Sequence, residues 1–196
     1  MVCISLKAKE LRFGKNKSFN RSFIIMIKRK TQLHTARLTL KSIEDKDALD
    51  TFVLLDDKLI KKTYMLPDFA HQEEKEKFFL RLQSFSSNNE RFVYGIYLKN
   101  KIIGFLNDVT HDENEVEIGY FVDSREWNKG YATEALSAAI KELFAIGFKR
   151  VVAAHFESNP ASGRVMQKCS MKRIDKTEKI EYRGVQHHCI YYAIEK

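Results

Sequence analysis

Cysteine is scarce in this chain. Cys3, Cys169 and Cys189 are the only three in 196 residues. They are odd in number, widely spaced and without a Cys-x-x-Cys pair, which excludes a disulfide framework and a cysteine-built zinc site. A reducing, cytoplasmic setting is the expectation. Proline is rarer still, limited to Pro67 and Pro160, so no proline-rich linker divides the chain. No apolar run approaches the roughly 20 residues that a bilayer-spanning helix needs, and no membrane partner is expected. Charge of one sign is missing from most of the chain. Residues 1–30 carry nine Lys or Arg against one acid, which accounts for the whole net charge of +8 and leaves residues 31–196 neutral. The basic character belongs to a leader rather than to a surface patch, and this argues against a nucleic-acid partner.

What is present is material for a core. Hydrophobic residues make up 44% of the chain, with 14 Phe and 8 Tyr, so a packed body is expected rather than disorder. The length suits one domain. Residues 31–196 are read as that domain and residues 1–30 as a basic N-terminal extension. Met26 offers an alternative start just before the first strand-like segment. Residues 1–25 therefore read as a flexible arm, a targeting sequence or translated upstream sequence. The apolar run at residues 23–27 is too short for a secretory signal.

Hydropathy periods give the order of elements. Leu38 and Leu40 alternate as in a half-buried strand. Residues 44–57 are helical in character, with Leu49, Phe52 and Val53 on one face. Residues 72–86 make a second helix, apolar at Phe78, Phe79, Leu82 and Phe85. The link at 64–69 carries Pro67 and several aromatics, and reads as core cover rather than as a groove wall. Strands at 92–98 and 102–109 form a hairpin, and 116–122 adds a third. A long helix then places Ala132, Ala135, Leu136, Ala139, Ile140, Leu143 and Phe144 on one face, with Gly147 as its C′ residue. A strand follows at 150–156. Asn159 caps a helix with Pro160 at its first position. Strands near 171–182 and 186–194 meet at Arg183-Gly184. This is the order of a single α/β domain with a mixed sheet.

Residues 115–135 hold the strongest functional signal: a strand, a short turn and a helix opening with Gly130 at its mouth. Helix-start N–H groups lack intrahelical partners, and the helix dipole adds partial positive charge there. Such a mouth suits a phosphate or pyrophosphate held by main chain. In isolation the same residues also read as an ordinary glycine turn before a helix.

Three runs in order carry a resemblance. They are Glu117-Ile-Gly-Tyr-Phe-Val, Trp127-Asn-Lys-Gly-Tyr-Ala-Thr-Glu-Ala, and Asn159-Pro-Ala-Ser-Gly-Arg-Val-Met-Gln-Lys. Together they resemble the GNAT superfamily of acetyl-CoA-dependent N-acyltransferases, and within it the Rim-type enzymes that acetylate ribosomal-protein N-termini. The opening Thr35-Ala-Arg-Leu-Thr-Leu is similar to that branch too, and the likeness spans about residues 32–194. It implies a single-domain GNAT-like acyl-CoA N-acyltransferase fold, with a mixed, mostly antiparallel sheet flanked by helices. It also implies acetyl-CoA as co-substrate, no metal, and an amine acceptor in a monomer or homodimer. That acceptor is a protein N-terminus on the first reading. The alternatives are a small-molecule amine (polyamine, amino acid or antibiotic) and a non-catalytic acyl-CoA-binding module.

The resemblance also assigns residues. The superfamily's pyrophosphate loop reads Gln/Arg-x-x-Gly-x-Gly/Ala. Here Trp127, Asn128, Lys129, Gly130, Tyr131 and Ala132 occupy it, followed by Thr133, with Trp127 replacing Gln or Arg. Gly130 lets backbone approach the phosphates, and Lys129 adds charge. Phe121 and Val122 are expected to splay from the neighbouring strand and pair with the pantetheine arm, as a peptide adds to a sheet edge. Asn159 bonds the same arm or serves only as a helix cap. Glu117 is the implied base for the amine, against a bland role as a strand carboxylate. Met166 stands where many members have Tyr, so Ser162 becomes the donor to the departing thiolate, or else a second capping hydroxyl. Ser170-Met171 replaces the family's Gly-Phe. His155, His187 and His188 lack a carboxylate or Cys at ligand spacing and read as strand-surface histidines. Tyr191 and Tyr192 read as alternating between core and surface.

Overall fold

The computed structural model describes residues 27–196, so the arm at 1–25 and the alternative start at Met26 lie outside the described residues. The chain is already packed at Ile27, which is buried and donates its N–H to Asn89 O at 2.7 Å. The Arg29 guanidinium lies 4.2 Å over the Tyr94 ring, and the Lys30 N–H donates to Glu142 Oε1 at 2.9 Å. The boundary drawn at residue 30 therefore falls inside packed chain. Charge placed it there because the first cations that dock onto the body look, in sequence, like the last cations of the leader.

Among the described residues eight strands form one sheet: β1 (Gln32–His34), β2 (Leu38–Lys41), β3 (Val93–Leu98), β4 (Lys101–His111), β5 (Glu115–Val122), β6 (Arg150–Phe156), β7 (Lys172–Tyr182) and β8 (Val185–Glu195). Their order is β1-β2-β3-β4-β5-β6-β8-β7. Only β5 and β6 run parallel; every other neighbouring pair is antiparallel. Among the described residues five α-helices accompany them: α1 (Ala48–Asp56), α2 (Lys58–Thr63), α3 (Gln72–Ser87), α4 (Tyr131–Ala145) and α5 (Pro160–Lys168). Strand β1 and helix α2 are absent from the sequence-based order, being too short to show a period.

Two adjacent residues of β5 reveal the layers. Tyr120 donates its hydroxyl to Ser162 O in α5 at 3.3 Å, while the Phe121 ring meets Tyr64, just after α2, at 4.8 Å. Successive strand residues face opposite sides, so α5 and the α1–α2 segment cover opposite faces. Helix α4 lies on the α5 side, burying Ala135, Leu136, Ala139, Ile140 and Leu143. Its small alanines let it sit close to β5 and β6. It ends as the spacing predicts: Gly147 has φ +115°, Phe148 N–H reaches Leu143 O at 3.1 Å, and the end closes as a Schellman turn.

Four expectations need correction. In α1, Leu49 and Val53 are exposed, and Leu54 and Leu55 are buried instead; a 3-10 turn at Asp45–Asp47 shifts the phase of the helix. Tyr191 and Tyr192 are both buried, because both faces of the sheet are covered there and the two rings enter different clusters. His155 is buried rather than on a strand surface, and His187 stacks on Phe156 at 4.0 Å. Asn159 occupies the N-cap position of α5, yet its side chain makes no cap bond. The link at 64–69 covers core, with Tyr64 and Leu66 buried, but Tyr64 also walls a cleft, so the segment is not core cover alone. Ser170 accepts the left-handed turn where the family has Gly, at φ +63°.

Gly104 on β4 sets how closely the end of β5 is held. A Cβ there would lie 2.2 Å from Phe121 O, and that main-chain atom has nowhere to move without breaking the β4–β5 ladder. Gly104→Ala is expected to lower stability by about 1–3 kcal/mol, the usual scale of overpacking, read as a lower urea midpoint at unchanged slope.

Candidate active site

The site begins where β5 and β6 part. Their parallel register covers only Glu115↔Arg150, Val116↔Val151 and Glu117↔Val152. Beyond that, β5 stays paired with β4 as far as Val122↔Gly104, and β6 stays with β8 as far as Phe156↔Cys189. The two strands open like a V, and main-chain groups on the facing edges of residues 118–122 and 153–156 lose their ladder partners. One of these is re-engaged locally: Trp127 Nε1 donates to Val122 O at 2.8 Å.

At the wide end of the V the chain turns sharply into α4. Asn128 and Gly130 both sit in the left-handed region, at φ +64° and +84°. The Glu134 N–H to Gly130 O bond at 3.0 Å closes the first helical turn. The N–H groups ahead of it are the helix's orphan donors. Across the gap stands the first turn of α5. Between them lies a cleft of about 230 Å³. Its walls include Phe121, Val122, Trp127, Asn128, Gly130, Tyr131, Ala132 and Thr133 from one side, and Asn159 and Ser162 from the other. These are ten of the twelve residues singled out from sequence.

The other two lie elsewhere. Lys129 is not part of the cleft wall and pairs at 2.8 Å with Glu126, which is. Glu117 stands at the closed end of the V, on the face that β7 and β8 share. Burial holds its carboxyl above the ordinary carboxylate range; Lys176 opposes this, and Glu178 and Glu115 reinforce it. Beside it, Tyr191 donates to Glu178 Oε2 at 2.6 Å, and the Lys176 ammonium lies 4.2 Å over the Tyr191 ring.

Several cleft residues were not read from sequence. Arg164 and Lys168 lie one turn apart on α5 and both line the cleft. Among the described residues neither side chain has an ion pair or a hydrogen bond. Spacing i, i+4 on a helix beside a phosphate signal was the cue that could have found them. Tyr120 and Tyr64 also line the cleft, which only a known fold would have placed. Burial raises the Tyr120 hydroxyl well above its ordinary range, so it remains a proton donor.

The first turn of α5 is set by polar contacts. Asn159 Nδ2 donates to Ser162 Oγ at 3.0 Å, which leaves the Ser162 hydroxyl proton free to donate. Beneath it, His155 Nδ1 meets Phe156 O at 2.8 Å, and its Nε2 is buried without a hydrogen-bond partner among the described residues. No group of three or more His, Cys, Asp or Glu among the described residues is placed to hold a metal.

A V-shaped break between parallel strands, a left-handed glycine and a helix mouth facing the gap decide the architecture. The acetyltransferase (GNAT) domain family matches residues 37–172. The chain belongs to the GNAT acetyltransferase family. A curated relative, the uncharacterized N-acetyltransferase YoaA of Bacillus subtilis (strain 168), is 25% identical over 170 residues, covering 84% of this chain and 96% of that protein. Among solved structures, the RimL ribosomal L7/L12 alpha-N-protein acetyltransferase superposes with a TM-score of 0.73 at 19% identity, covering 87% of this chain and 99% of its own. The microcin C7 self immunity acetyltransferase MccE, solved with acetyl-CoA and AMP, gives 0.72 at 22% identity, covering 83% and 94%. This GNAT chain is thus an N-acetyltransferase with the family's mixed sheet flanked by helices. No helix among its described residues is long and apolar enough to cross a membrane.

His155 supplies a test of this geometry. Burial is the main cause that lowers its imidazole below the ordinary 6.5. The native state then binds fewer protons than the unfolded state, so this residue's contribution to stability is lost as pH falls below that ordinary value. An NMR titration should show His155 protonating only below the ordinary 6.5, with the proton of its neutral form on Nδ1.

Proposed function

We propose that this enzyme transfers the acetyl group of acetyl-CoA to a primary amine, and that the acceptor is a protein N-terminal α-amine such as that of a ribosomal protein. The observation that carries the reading is the V between β5 and β6 with a helix mouth at its wide end. It offers strand-edge groups for an amide-bearing arm and orphan N–H donors for a pyrophosphate. The fold likeness to RimL supports the choice of acceptor class.

The residues present fit such a donor. Gly130, Tyr131, Ala132 and Thr133 present main chain to the cleft, with Trp127 and Asn128 shaping the turn before them. Phe121 and Val122 provide the strand edge, less the Val122 carbonyl that Trp127 occupies. Arg164 and Lys168 bring the positive charge that Lys129, paired with Glu126, no longer has to spare. When bound, acetyl-CoA supplies an activated thioester carbonyl.

Glu117 takes the proton of the incoming ammonium, directly or through a water, because only a neutral amine has a lone pair to attack with. Its raised carboxyl range brings it nearer to the amine's own and makes it a better acceptor. Ser162 donates to the departing sulfur. Asn159 fixes that hydroxyl by giving it a hydrogen bond and taking none.

A thiol-release assay with acetyl-CoA against N-terminal peptides and small amines tests the acceptor. Turnover confined to peptides supports the reading, turnover on polyamines or amino acids replaces the acceptor, and acetyl-CoA binding without any turnover would make the chain a binding module. Glu117→Gln is expected to lower kcat by about 100-fold, within the usual range for a general base, and to remove the rise in rate as pH climbs through the Glu117 range. Arg164→Ala and Lys168→Ala should each weaken CoA binding and flatten its dependence on salt, as removal of an exposed phosphate partner does. Calorimetry at two ionic strengths reads this directly.

A further inference from the structure

Three residues that no part of the reaction uses lie against the phosphate loop from behind. The Glu134 carboxylate, in the first turn of α4, receives Thr35 Oγ1–H at 2.6 Å, the Arg37 N–H at 2.8 Å and Arg37 Nε at 2.7 Å. The same Arg37 reaches past Glu134 and donates from Nη1 to Lys129 O at 2.9 Å, in the loop itself. Its guanidinium lies 4.5 Å over the Tyr131 ring, and a Cβ on Gly130 would stand 3.3 Å from its Nη2. Thr35 and Arg37 belong to the β1–β2 turn, nearly a hundred residues away in sequence, where Thr35 also holds the turn through Leu38 N–H at 2.9 Å.

From this geometry we infer that Arg37 and Glu134 form a clamp that holds the loop 127–132 in its left-handed, phosphate-ready shape, a role that rests on the proposed reading of that loop as the CoA pyrophosphate cradle. Asn128 adopts the left-handed region without glycine's freedom, and Gly130 in solution visits many other conformations. Each loop N–H aimed at the cleft therefore depends on something outside the loop. The fork of Arg37 can bind the Glu134 carboxylate and the Lys129 carbonyl together, which a lysine cannot do. Arg37 is a positioning residue: its charge is already matched by Glu134, and its hydrogen bonds face the back of the loop.

Opposite electrostatic expectations make the test decisive. If only charge near the phosphates mattered, Arg37→Lys would bind CoA like the wild type, and Glu134→Ala, by removing an anion, would tighten binding. If the clamp acts by shape, Arg37→Lys, Arg37→Met and Glu134→Ala all weaken binding. Calorimetric titration of the full chain with CoA reads both the dissociation constant and the stoichiometry. The expected result is a roughly tenfold weaker constant in all three variants with stoichiometry unchanged, since a merely structural defect lowers the folded fraction and not the constant. Wild-type affinity in Arg37→Lys, tighter binding in Glu134→Ala, or a loss seen only in stoichiometry overturns the clamp. Wild-type protein that takes up no CoA overturns the proposed function itself, and the clamp with it.

Discussion

Loss of pairing between β5 and β6 beyond Glu117↔Val152 is the constraint on which the rest of this structure depends. A buried strand edge without partners is costly, because each unpaired N–H or carbonyl forfeits a hydrogen bond that water would have supplied. The fold tolerates the break because each strand keeps its other neighbour, β4 on one side and β8 on the other. Gly104 lets β4 follow β5 to its last residue, and Trp127 takes up the carbonyl at that end. What remains open faces a cleft rather than the core. A structure that spends hydrogen bonds in one place, and reinforces both flanks to do so, has kept that edge for something else to bind.

Charge around the cleft follows the same division of labour. Cations close to the loop are neutralised: Lys129 by Glu126 and Arg37 by Glu134. Those on α5, Arg164 and Lys168, are left without partners among the described residues. On the proposed reading the loop meets an anion with its backbone dipoles, while exposed charge stands on the opposite wall. Backbone donors give geometry, and the α5 cations give attraction that salt can screen. A lysine free to swing within the loop itself would compete with the N–H groups for the same oxygens.

Much of this was legible in the sequence, and the physics says which part. Helix α4 announces itself because fifteen residues sample its period four times over, and Gly147 marks its end by needing a positive φ. The cleft walls at residues 121–133 and at 159 and 162 follow from motifs whose order is specific. Elements β1 and α2, at three and six residues, are shorter than any period that could reveal them. The faces of α1 and the depth of His155 and Tyr192 were misjudged because burial depends on what covers a strand, and local alternation cannot report a second covered face. The V itself came only through the resemblance, since the residues of β5 alternate as they would in an unbroken ladder. Arg37 was quoted as part of a similar run, yet its bond to Lys129 O spans ninety-two residues and has no local signature.

With methionine and not tyrosine at position 166, the hydroxyls of the cleft have other origins. Met166 is fully buried in the main core, so no rotation of α5 could bring a hydroxyl from that position to the cleft without emptying the core behind it. Hydroxyls come instead from the helix start and from the sheet, as Ser162 and Tyr120. Tyr120 holds the Ser162 carbonyl from below at 3.3 Å, while Gly163 lies so close to His155 that a Cβ would stand 2.7 Å from Nε2. The first turn of α5 is thus seated on two strands before its own hydrogen bonds begin, and Asn159 spends its side chain on Ser162 rather than on capping the helix. Placement of Ser162 is a property of β5 and β6, whose divergence opens the cleft in the first place.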